Sequence, residues 1–230
     1  MAVRRLPIYL RALHELLDED VQIVSSHELA ERTGLSPEQI RKDLAYFGAF
    51  GRRGVGYETR ILASAIRDIL GLNRELRVAL VGAGNLGTAL ARYTADRHHG
   101  VRVVAIFDSD PHKVGTRIAG VVVQPLDQMV DTLRQRQIRM AIVAVPATQA
   151  RRVIDMLAEA GVQGVLNFAP TKVRAPRGMR IHHVDVTLEL QSLAFWVTAE
   201  GEVSGSSSGG EPSSWQVRQC RAEKEYPPRQ

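Results

Sequence analysis

Residues 77–87 read RVALVGAGNLG, and this stretch determines how most of the chain folds. The apolar residues at 78–81 are typical of a buried strand, and three glycines follow them in the spacing G-x-G-x-x-G. A helical pattern begins directly afterwards, and a glycine turn between a strand and a helix predicts a dinucleotide-binding motif. Gly82 permits the tight turn, Gly84 lets backbone amides approach a pyrophosphate, and Gly87 lets the helix pack closely on the strand.

The next apolar strand, expected at residues 101–107, ends in Asp108. A carboxylate at this place accepts hydrogen bonds from the ribose hydroxyls of a dinucleotide, and it repels a 2′-phosphate. The following Ser109 and Asp110 provide no arginine for such a phosphate, so NAD(H) is favoured over NADP(H). Two alternatives stay open: Asp108 as a turn or capping residue, and a Rossmann-like fold that binds another nucleotide such as coenzyme A.

Strand and helix patterns continue to alternate after Asp108, with strands expected at 140–145 and 164–168 and helices at 126–137 and 147–160. This alternation predicts a parallel sheet that helices cover on both faces. Ligands of such sheets bind beyond the carboxyl ends of the strands. We therefore expect the nucleotide to contact Asp108 together with the glycine turn and two further strand ends: Gly82, Ala83, Gly84, Asn85, Leu86, Gly87, Val145, Pro146, Asn167, Phe168 and Ala169.

The same part of the chain lacks the groups that a dehydrogenase uses for catalysis. No Tyr-x-x-x-Lys pair occurs in the sequence, and little sequence follows Pro170 before a serine-rich tail. His182 and His183 fit a short strand better than an acid–base site. We expect a nucleotide-binding protein that is not an enzyme. The alternative is an NAD-dependent oxidoreductase with an N-terminal interaction domain.

Residues 1–77 predict a separate DNA-binding domain. An amphipathic first helix contains Ile8, Leu13, Leu16 and Leu17 at helical spacing. A short second helix, a tight glycine turn and a third helix follow, and this succession is typical of a helix-turn-helix.

Two serines mark the starts of the second and third helices. The second helix is expected at 26–32 with Ser26 as its N-cap, because a serine oxygen accepts the free backbone donors of a first turn. Ser36 and Pro37 open the third helix, which extends to about residue 47.

The third helix and the turn after it carry the expected DNA contacts. Ile40, Leu44 and Phe47 define its core face, and residues 50–57, FGRRGVGY, predict a β-hairpin wing with arginines at the tip. Polar side chains of this helix that lie off the core face can reach base edges in a major groove. The wing arginines can reach the negative potential of a minor groove. A winged helix used for protein contact alone is the alternative. The expected DNA-binding residues are Ser36, Gln39, Arg41, Lys42, Tyr46, Arg52 and Arg53.

Composition limits the remaining possibilities. The net charge of +5 permits DNA binding without requiring it, but residues 41–60 hold five basic side chains against two acidic ones. One cysteine excludes an internal disulfide framework and a multi-cysteine metal cluster. The chain has no apolar run long enough to span a membrane and no secretory signal pattern. We expect a cytoplasmic protein with neither metal nor membrane as a partner.

The C-terminal part divides into an apolar helix and a polar tail. Residues 187–197, TLELQSLAFWV, are apolar on more than one side, and such a helix must be buried. Because it follows the completed sheet, a partner subunit is favoured as its receptor, and burial within its own subunit is the alternative. Residues 204–230 lack an apolar period and are expected to be disordered.

Taken together, these motifs resemble those of the Rex family of redox-sensing transcriptional repressors. The resemblance depends on RKDL at 41–44, the wing at 50–57, GLN at 71–73 ahead of the glycine turn, and NFAP at 167–170. It implies a homodimer that binds palindromic double-stranded operator DNA and releases it when NADH accumulates. NADH and NAD+ would be effector ligands that the protein does not turn over.

The resemblance also implies how the domains are arranged and coupled. An arginine, a tyrosine and an aspartate couple the domains of the family, and by position these are Arg11, Tyr93 and Asp185 here. Some members carry an aromatic residue after this aspartate, where this chain has Val186. The expected fold class is α/β. The expected segments are a winged-helix DNA-binding domain at 1–77, a Rossmann NAD(H)-binding domain with a parallel sheet at 78–186, a domain-swapped C-terminal helix at 187–203 and the tail at 204–230.

Overall fold

A computed structural model describes residues 2–48, 50–52, 54–73, 75–95 and 100–203. The chain divides into two compact units, and the second begins at Glu75. The boundary that we expected at residue 77 lies slightly inside this second unit, because Leu76 already belongs to its first strand. The tail at 204–230, with its cysteine, lies outside the described residues.

The first unit packs helices against a small antiparallel sheet whose strand order is β1-β3-β2. Its strands are β1 (Ile23–Val24), β2 (Gly51–Arg52) and β3 (Gly56–Glu58). Its α-helices are α1 (Leu6–Asp18), α2 (Ser26–Thr33), α3 (Pro37–Phe47) and α4 (Thr59–Leu70). β2 and β3 form the hairpin that the glycine spacing predicts for the wing.

The core of the first unit differs from the sequence pattern on one helix. Leu13 and Leu16 of α1 are buried, as their spacing indicates. Ile8, which we grouped with them, is 44% exposed, so this part of the prediction is wrong. The buried stripe of α1 begins instead with Leu6 and Tyr9. Each of them lies three and four positions before other buried residues, which is the spacing of one helix face.

The helix starts show one error and one confirmed prediction. Ser25, and not Ser26, caps α2: its Oγ accepts the N–H of Glu28 at 3.1 Å, and the Glu28 carboxylate accepts the N–H of Ser25 at 2.7 Å. This reciprocal capping box requires a serine three residues before the glutamate, which selects Ser25. Ser36 caps α3 as predicted, because its Oγ accepts the N–H of Gln39 at 3.2 Å.

The second unit contains a sheet with the strand order β10-β9-β8-β4-β5-β7-β6. All neighbours are parallel except β6 and β7. The strands are β4 (Leu76–Val81), β5 (Val101–Asp108), β6 (Arg117–Ile118), β7 (Val121–Pro125), β8 (Met140–Val143), β9 (Gly164–Asn167) and β10 (Arg180–His183). The α-helices are α5 (Asn85–Tyr93), α6 (Met129–Gln135), α7 (Ala147–Glu159) and α8 (Val186–Val203).

This order is that of a Rossmann fold. After β4 the chain adds β5 and β7 on one side, and it then returns to add β8, β9 and β10 on the other side, so the switch point lies between β4 and β8. Both faces are buried: Val81 and Phe107 pack on one side, and Leu80 and Ile106 on the other. The near-continuous apolar strands of the sequence reflect this double burial. The antiparallel β6–β7 hairpin at the edge of the sheet is an element that the sequence patterns did not predict.

α8 begins at Val186, one residue earlier than expected, and ends at Val203, where the expected segment 187–203 also ends. Its side chains Leu188, Leu190, Leu193 and Val197 are 52–71% exposed in the single chain. Burial of this face within its own subunit is therefore not observed for these side chains. Within the described ranges, no helix combines the length and apolarity needed to cross a membrane.

Candidate functional site

The carboxyl ends of β4 and β8 open into a cavity of about 490 Å³, a size suited to a small-molecule ligand. It lies at the switch point of the sheet, where Rossmann folds bind their ligands. From the expected set it brings together Gly82, Gly84, Asn85, Leu86, Asp108, Val145 and Pro146. The sequence reasoning missed its other lining residues: Val81, Ser109, Asp110, Lys113, Leu126, Ala144 and Gln149.

The three glycines of the turn have different surroundings. Gly82 has a φ of 101°, and a Cβ there would overlap the carbonyl oxygen of Ala144. A Cβ at Gly87 would overlap the carbonyl oxygen of Gly82, so its lack of a side chain allows α5 to pack on the turn. Gly84 has open space around it and precedes the first residue of α5. The turn thus presents the free backbone amides of a helix N-terminus, which favour an anion.

Asp108 is 8% exposed and accepts two backbone hydrogen bonds at the edge of this cavity. Its Oδ2 accepts the N–H of Ala83 at 2.7 Å, and its Oδ1 accepts the N–H of Asp110 at 2.9 Å. Burial alone would raise the pKa of Asp108, but these donors and Lys113 outweigh it and lower the pKa below its ordinary value. The carboxylate is therefore ionised at neutral pH and accepts hydrogen bonds only.

Lys113 is the basic group at this site that the sequence reasoning missed. Its Nζ lies 3.5 Å from Oδ2 of Asp108 and 3.6 Å from Oδ2 of Asp110. The preference for NAD(H) rested on the lack of an arginine after Asp108, and the structure adds a lysine five positions further on. Since it offsets only part of the charge of two carboxylates, the ribose end of the cavity stays negative. A lone lysine in a turn gives no periodic signal from which its position could be predicted.

Five expected nucleotide residues do not line this cavity. Ala83 and Gly87 support it through the contacts given above, whereas Asn167 ends β9 and Phe168 and Ala169 follow it. Asn167 is fully buried, and its Nδ2 donates to the carbonyl of Thr171 at 3.1 Å. Ala169 lines a second cleft, of about 310 Å³, together with Pro170, Thr171, Lys172, His183, Val184, Asp185, Leu188 and Glu189.

In the first unit, α3 and the wing form a concave surface of about 580 Å³ that includes Arg41 and Arg52. Arg41 donates from Nη1 to the Oγ of Ser26 at 2.8 Å. Lys42 and Tyr46 are exposed on α3, and Tyr46 is 78% exposed. These expected DNA contacts therefore lie on or beside one surface. Arg53, the second arginine of the wing, lies outside the described residues.

A buried aspartate of α3 is the main feature that the sequence analysis missed. Asp43 is 3% exposed, and its carboxylate accepts from Nε and Nη2 of Arg5 at 2.5 and 2.8 Å. It also accepts from the Tyr9 hydroxyl at 2.7 Å and from Nε2 of Gln39 at 2.8 Å. The hydrogen bond from Arg5, followed by those from Tyr9 and Gln39, lowers the pKa of Asp43 to about 2 despite its burial.

The expected coupling residues belong to both units. Arg11 on α1 is exposed, and its Nε lies 3.3 Å from Oε1 of Glu15. Tyr93 ends α5 and is 65% exposed. Asp185 caps α8, since its Oδ1 accepts the N–H of Thr187 at 3.0 Å. Among the described residues, no group of three or more His, Cys, Asp or Glu side chains could hold a metal ion.

Known proteins match both units. Residues 73–171 match a family model described as a CoA binding domain, and residues 1–45 match one described as a putative DNA-binding protein N-terminus. Over 196 residues the chain is 50% identical to the redox-sensing transcriptional repressor Rex of Brevibacillus brevis, which covers 85% of this chain and 95% of that protein. The chain belongs to the Rex family. Rex proteins are transcriptional repressors and not enzymes, so the oxidoreductase alternative is wrong.

Solved structures similar to this Rex chain support the same conclusion. One is a crystal structure of RSP in complex with β-NAD+ and operator DNA, with 34% identity, a TM-score of 0.81, and coverage of 90% of this chain and 97% of that chain. Another is RSP in complex with β-NADH, with 32% identity, a TM-score of 0.77, and coverage of 88% and 95%. The α/β class with its N-terminal DNA-binding domain and Rossmann sheet is confirmed. Exchange of α8 between subunits stays a prediction.

Proposed function

We propose that this Rex chain is an NADH-responsive repressor. It binds a palindromic operator as a homodimer and releases the DNA when the ratio of NADH to NAD+ rises. The observation that carries the proposal is the pairing, in one chain, of a basic helix–wing surface with a Rossmann cavity whose ribose carboxylate is held ionised. We assign the protein to the cytoplasm, because DNA and the soluble coenzyme are both found in that compartment.

The DNA-binding surface supports major-groove reading by α3 with the wing beside it. Arg41 and Lys42 are exposed cations on α3, and Arg52 lies at the base of the hairpin tip. Phosphate contacts of such groups provide affinity, whereas contacts to base edges provide sequence preference. We assign Arg41, Lys42, Tyr46, Arg52 and Arg53 to direct contact. Ser36 acts by capping α3.

The Rossmann cavity supports a dinucleotide bound in the usual direction. The free amides after Gly84 and the positive end of α5 suit the pyrophosphate. Asp108 accepts the ribose hydroxyls, and Val145 and Pro146 at the end of β8 border the nicotinamide half. Asn167, Phe168 and Ala169 would act from the neighbouring strand end by shaping the backbone there.

The nucleotide shifts DNA binding through two arrangements of the dimer. A ligand changes this equilibrium only by the difference in its affinity for the two states. A small rotation that misplaces the two recognition helices suffices, because half-sites must fall about one helical turn apart. Arg11, Tyr93 and Asp185 would transmit the change, and the exposed apolar face of α8 would join the subunits.

Coenzyme A is a second candidate ligand, because the family model that matches residues 73–171 is described as a CoA binding domain. Coenzyme A carries a phosphate on the ribose that the carboxylate of Asp108 would repel. Lys113 offsets that repulsion only in part, since it faces Asp110 as well. The unphosphorylated ribose of NAD(H) therefore fits better.

The deciding experiment measures DNA binding against each ligand. A duplex selected by the protein from a randomised library is labelled, and its binding is followed by fluorescence anisotropy at constant salt. NADH, NAD+, NADPH, NADP+ and coenzyme A are titrated separately. We expect NADH to release the DNA at the lowest concentration. Equal DNA affinity with and without saturating NADH would reject the proposal, and release by coenzyme A alone would favour the second candidate.

A further inference from the structure

The proposed function assigns no role to the buried carboxylate of Asp43. Its two oxygens accept four hydrogen bonds, from Arg5 Nε and Nη2, the Tyr9 hydroxyl and Gln39 Nε2. An ionised carboxylate offers about four lone-pair positions, so no acceptor capacity remains. Since Asp43 is 3% exposed, it cannot contact DNA directly. It does, however, hold the side chain of Gln39, which is partly exposed.

Gln39 is held at both its backbone and its side chain. Its N–H donates to the Ser36 cap at 3.2 Å, which places it in the first turn of α3. Its Nε2 donates to Oδ1 of Asp43 at 2.8 Å. Because an ionised carboxylate only accepts, the amide nitrogen must face Asp43, and this determines which way the amide is turned.

The outward part of the Gln39 amide is one donor beside one acceptor. In the described part of the chain, the second Nε2 hydrogen and Oε1 have no protein partner. Residues in the first turn of a recognition helix are those that contact base edges in helix-turn-helix complexes. In the major groove, adenine presents an acceptor, N7, next to a donor, the N6 amino group. Guanine presents two acceptors there, so it can accept from the amide nitrogen but offers no donor to Oε1.

We propose that Gln39 reads an adenine in each half of the operator, with an amide that Asp43 orients. This inference rests on the proposed function and adds its sequence preference. Gln39 is then the reading residue and Asp43 a positioning residue. A bidentate pair of this kind discriminates against the wrong base by about ten-fold or more.

The test compares selected DNA sequences among variants of the full chain. Wild type, Gln39→Met and the control Gln22→Met each select duplexes from a library of randomised double-stranded DNA. Methionine keeps the length and helix propensity of glutamine but lacks its polar atoms. Gln22 is exposed, precedes β1 and lies outside α3, so its substitution controls for the loss of an amide.

The expected result is local. Wild type and Gln22→Met should require an A·T pair at one position of each half-site, and Gln39→Met should accept any base there while keeping every other preference. Replacing that adenine by 7-deazaadenine should weaken wild-type binding about ten-fold and leave Gln39→Met binding unchanged. An unchanged sequence preference for Gln39→Met, or a uniform loss at all positions, would overturn the proposal. A wild type that selects no sequence would overturn the proposed function, and this inference with it.

Asp43→Asn tests the positioning role. The amide that replaces the carboxylate presents a donor to the cluster, so Gln39 loses its single orientation. We expect the same position to relax, and the double variant with Gln39→Met to relax it no further, because both changes act on one contact. Additive loss in the double variant would refute positioning by Asp43. If Asp43→Asn does not fold, the Gln39→Met result decides whether Gln39 reads the base.

Discussion

The N–H of Ala83 donates to Oδ2 of Asp108 at 2.7 Å and joins the glycine turn after β4 to the end of β5. The turn that faces the pyrophosphate and the carboxylate that faces the ribose are thus one hydrogen-bonded unit. Loss of the Asp108 carboxylate therefore also removes a hydrogen-bond acceptor from the glycine turn. The arrangement also explains why Asp108 stays ionised although it is buried.

Replacing Asp108 should weaken NADH binding strongly. Asp108→Ala removes a charged acceptor for the ribose hydroxyls, and hydrogen bonds to charged groups contribute about 1.5–3 kcal/mol each. We expect the Kd for NADH, measured by calorimetry, to rise about ten-fold or more. Asp155→Ala is the matched control, because Asp155 is an exposed carboxylate on α7 paired with Arg151. An unchanged Kd for Asp108→Ala would remove this residue from the ribose site.

Alanine substitutions at two glycines of the turn should have different effects, one on stability and the other on ligand binding. Gly87→Ala places a Cβ on the carbonyl oxygen of Gly82, and overpacking of this kind costs about 1–3 kcal/mol. Gly84→Ala meets open space at an ordinary φ of −76°, so the unliganded protein should keep its stability. Its methyl group would stand where the pyrophosphate approaches. Thermal unfolding should therefore change for Gly87→Ala, and NADH affinity alone for Gly84→Ala. The reverse pattern would contradict this division.

The Asp43 cluster should make the stability of the first unit depend on acid pH. The pKa of Asp43 is lowered to about 2 in the folded state, below the ordinary value near 3.9 of the unfolded chain. A lowered pKa stabilises the fold above the unfolded value, and this stabilisation is lost as pH falls from about 4 to about 2. It amounts to about 2 kcal/mol.

Urea unfolding followed by circular dichroism at pH 7, 4 and 2.5 measures this dependence. Asp43→Asn, which cannot ionise, should be less stable than wild type at pH 7, and the difference should shrink at pH 2.5. Asp20→Asn, an exposed carboxylate in the turn after α1, is the control. A constant difference between Asp43→Asn and wild type at all three pH values would show that ionisation of Asp43 is not the cause.

The wing arginine should contribute through phosphate contact or the minor-groove potential. Each cation that neutralises a phosphate steepens the dependence of log affinity on log salt by about 0.9. We therefore expect Arg52→Ala to reduce this slope by about two, because the homodimer loses one contact in each half-site, and to weaken all sequences alike. Arg151→Ala, which removes an exposed arginine of α7, should leave the slope unchanged. A loss confined to one base position would assign Arg52 to base reading instead.

The sequence predicted the elements whose signals are local or periodic. The glycine turn, Asp108 at a strand end and the Ser36 cap each combine a residue type with a neighbouring pattern, and the structure places them as expected. The capping error at Ser26 arose because two adjacent serines are equivalent until Glu28 is included as the second half of the box.

Long-range pairing explains most of what the sequence did not show. Asp43 lies on the core face of α3 between Ile40 and Leu44, where a charge signals a buried partner, but nothing in the local pattern identifies Arg5. Lys113 reaches Asp108 from an irregular turn, so no period marks it. The expected site residues at the end of β9 and directly after it follow from the strand-end rule, which does not specify which cavity each residue lines.

The apolar face of α8 should hold the subunits together. Leu190 is 61% exposed in the single chain, and burying a leucine side chain contributes about 1.5–3 kcal/mol. Leu190→Glu removes this gain at each of two symmetric sites and adds the cost of burying a charge. We expect the dimer dissociation constant, measured by sedimentation equilibrium, to rise about 100-fold or more.

Val122→Glu, at the edge hairpin of the same unit, introduces the same charge away from α8 and should leave the dimer intact. Operator affinity should fall with dimerisation, because each half-site needs one recognition helix. An unchanged dimer in Leu190→Glu would show that the subunits associate through another surface.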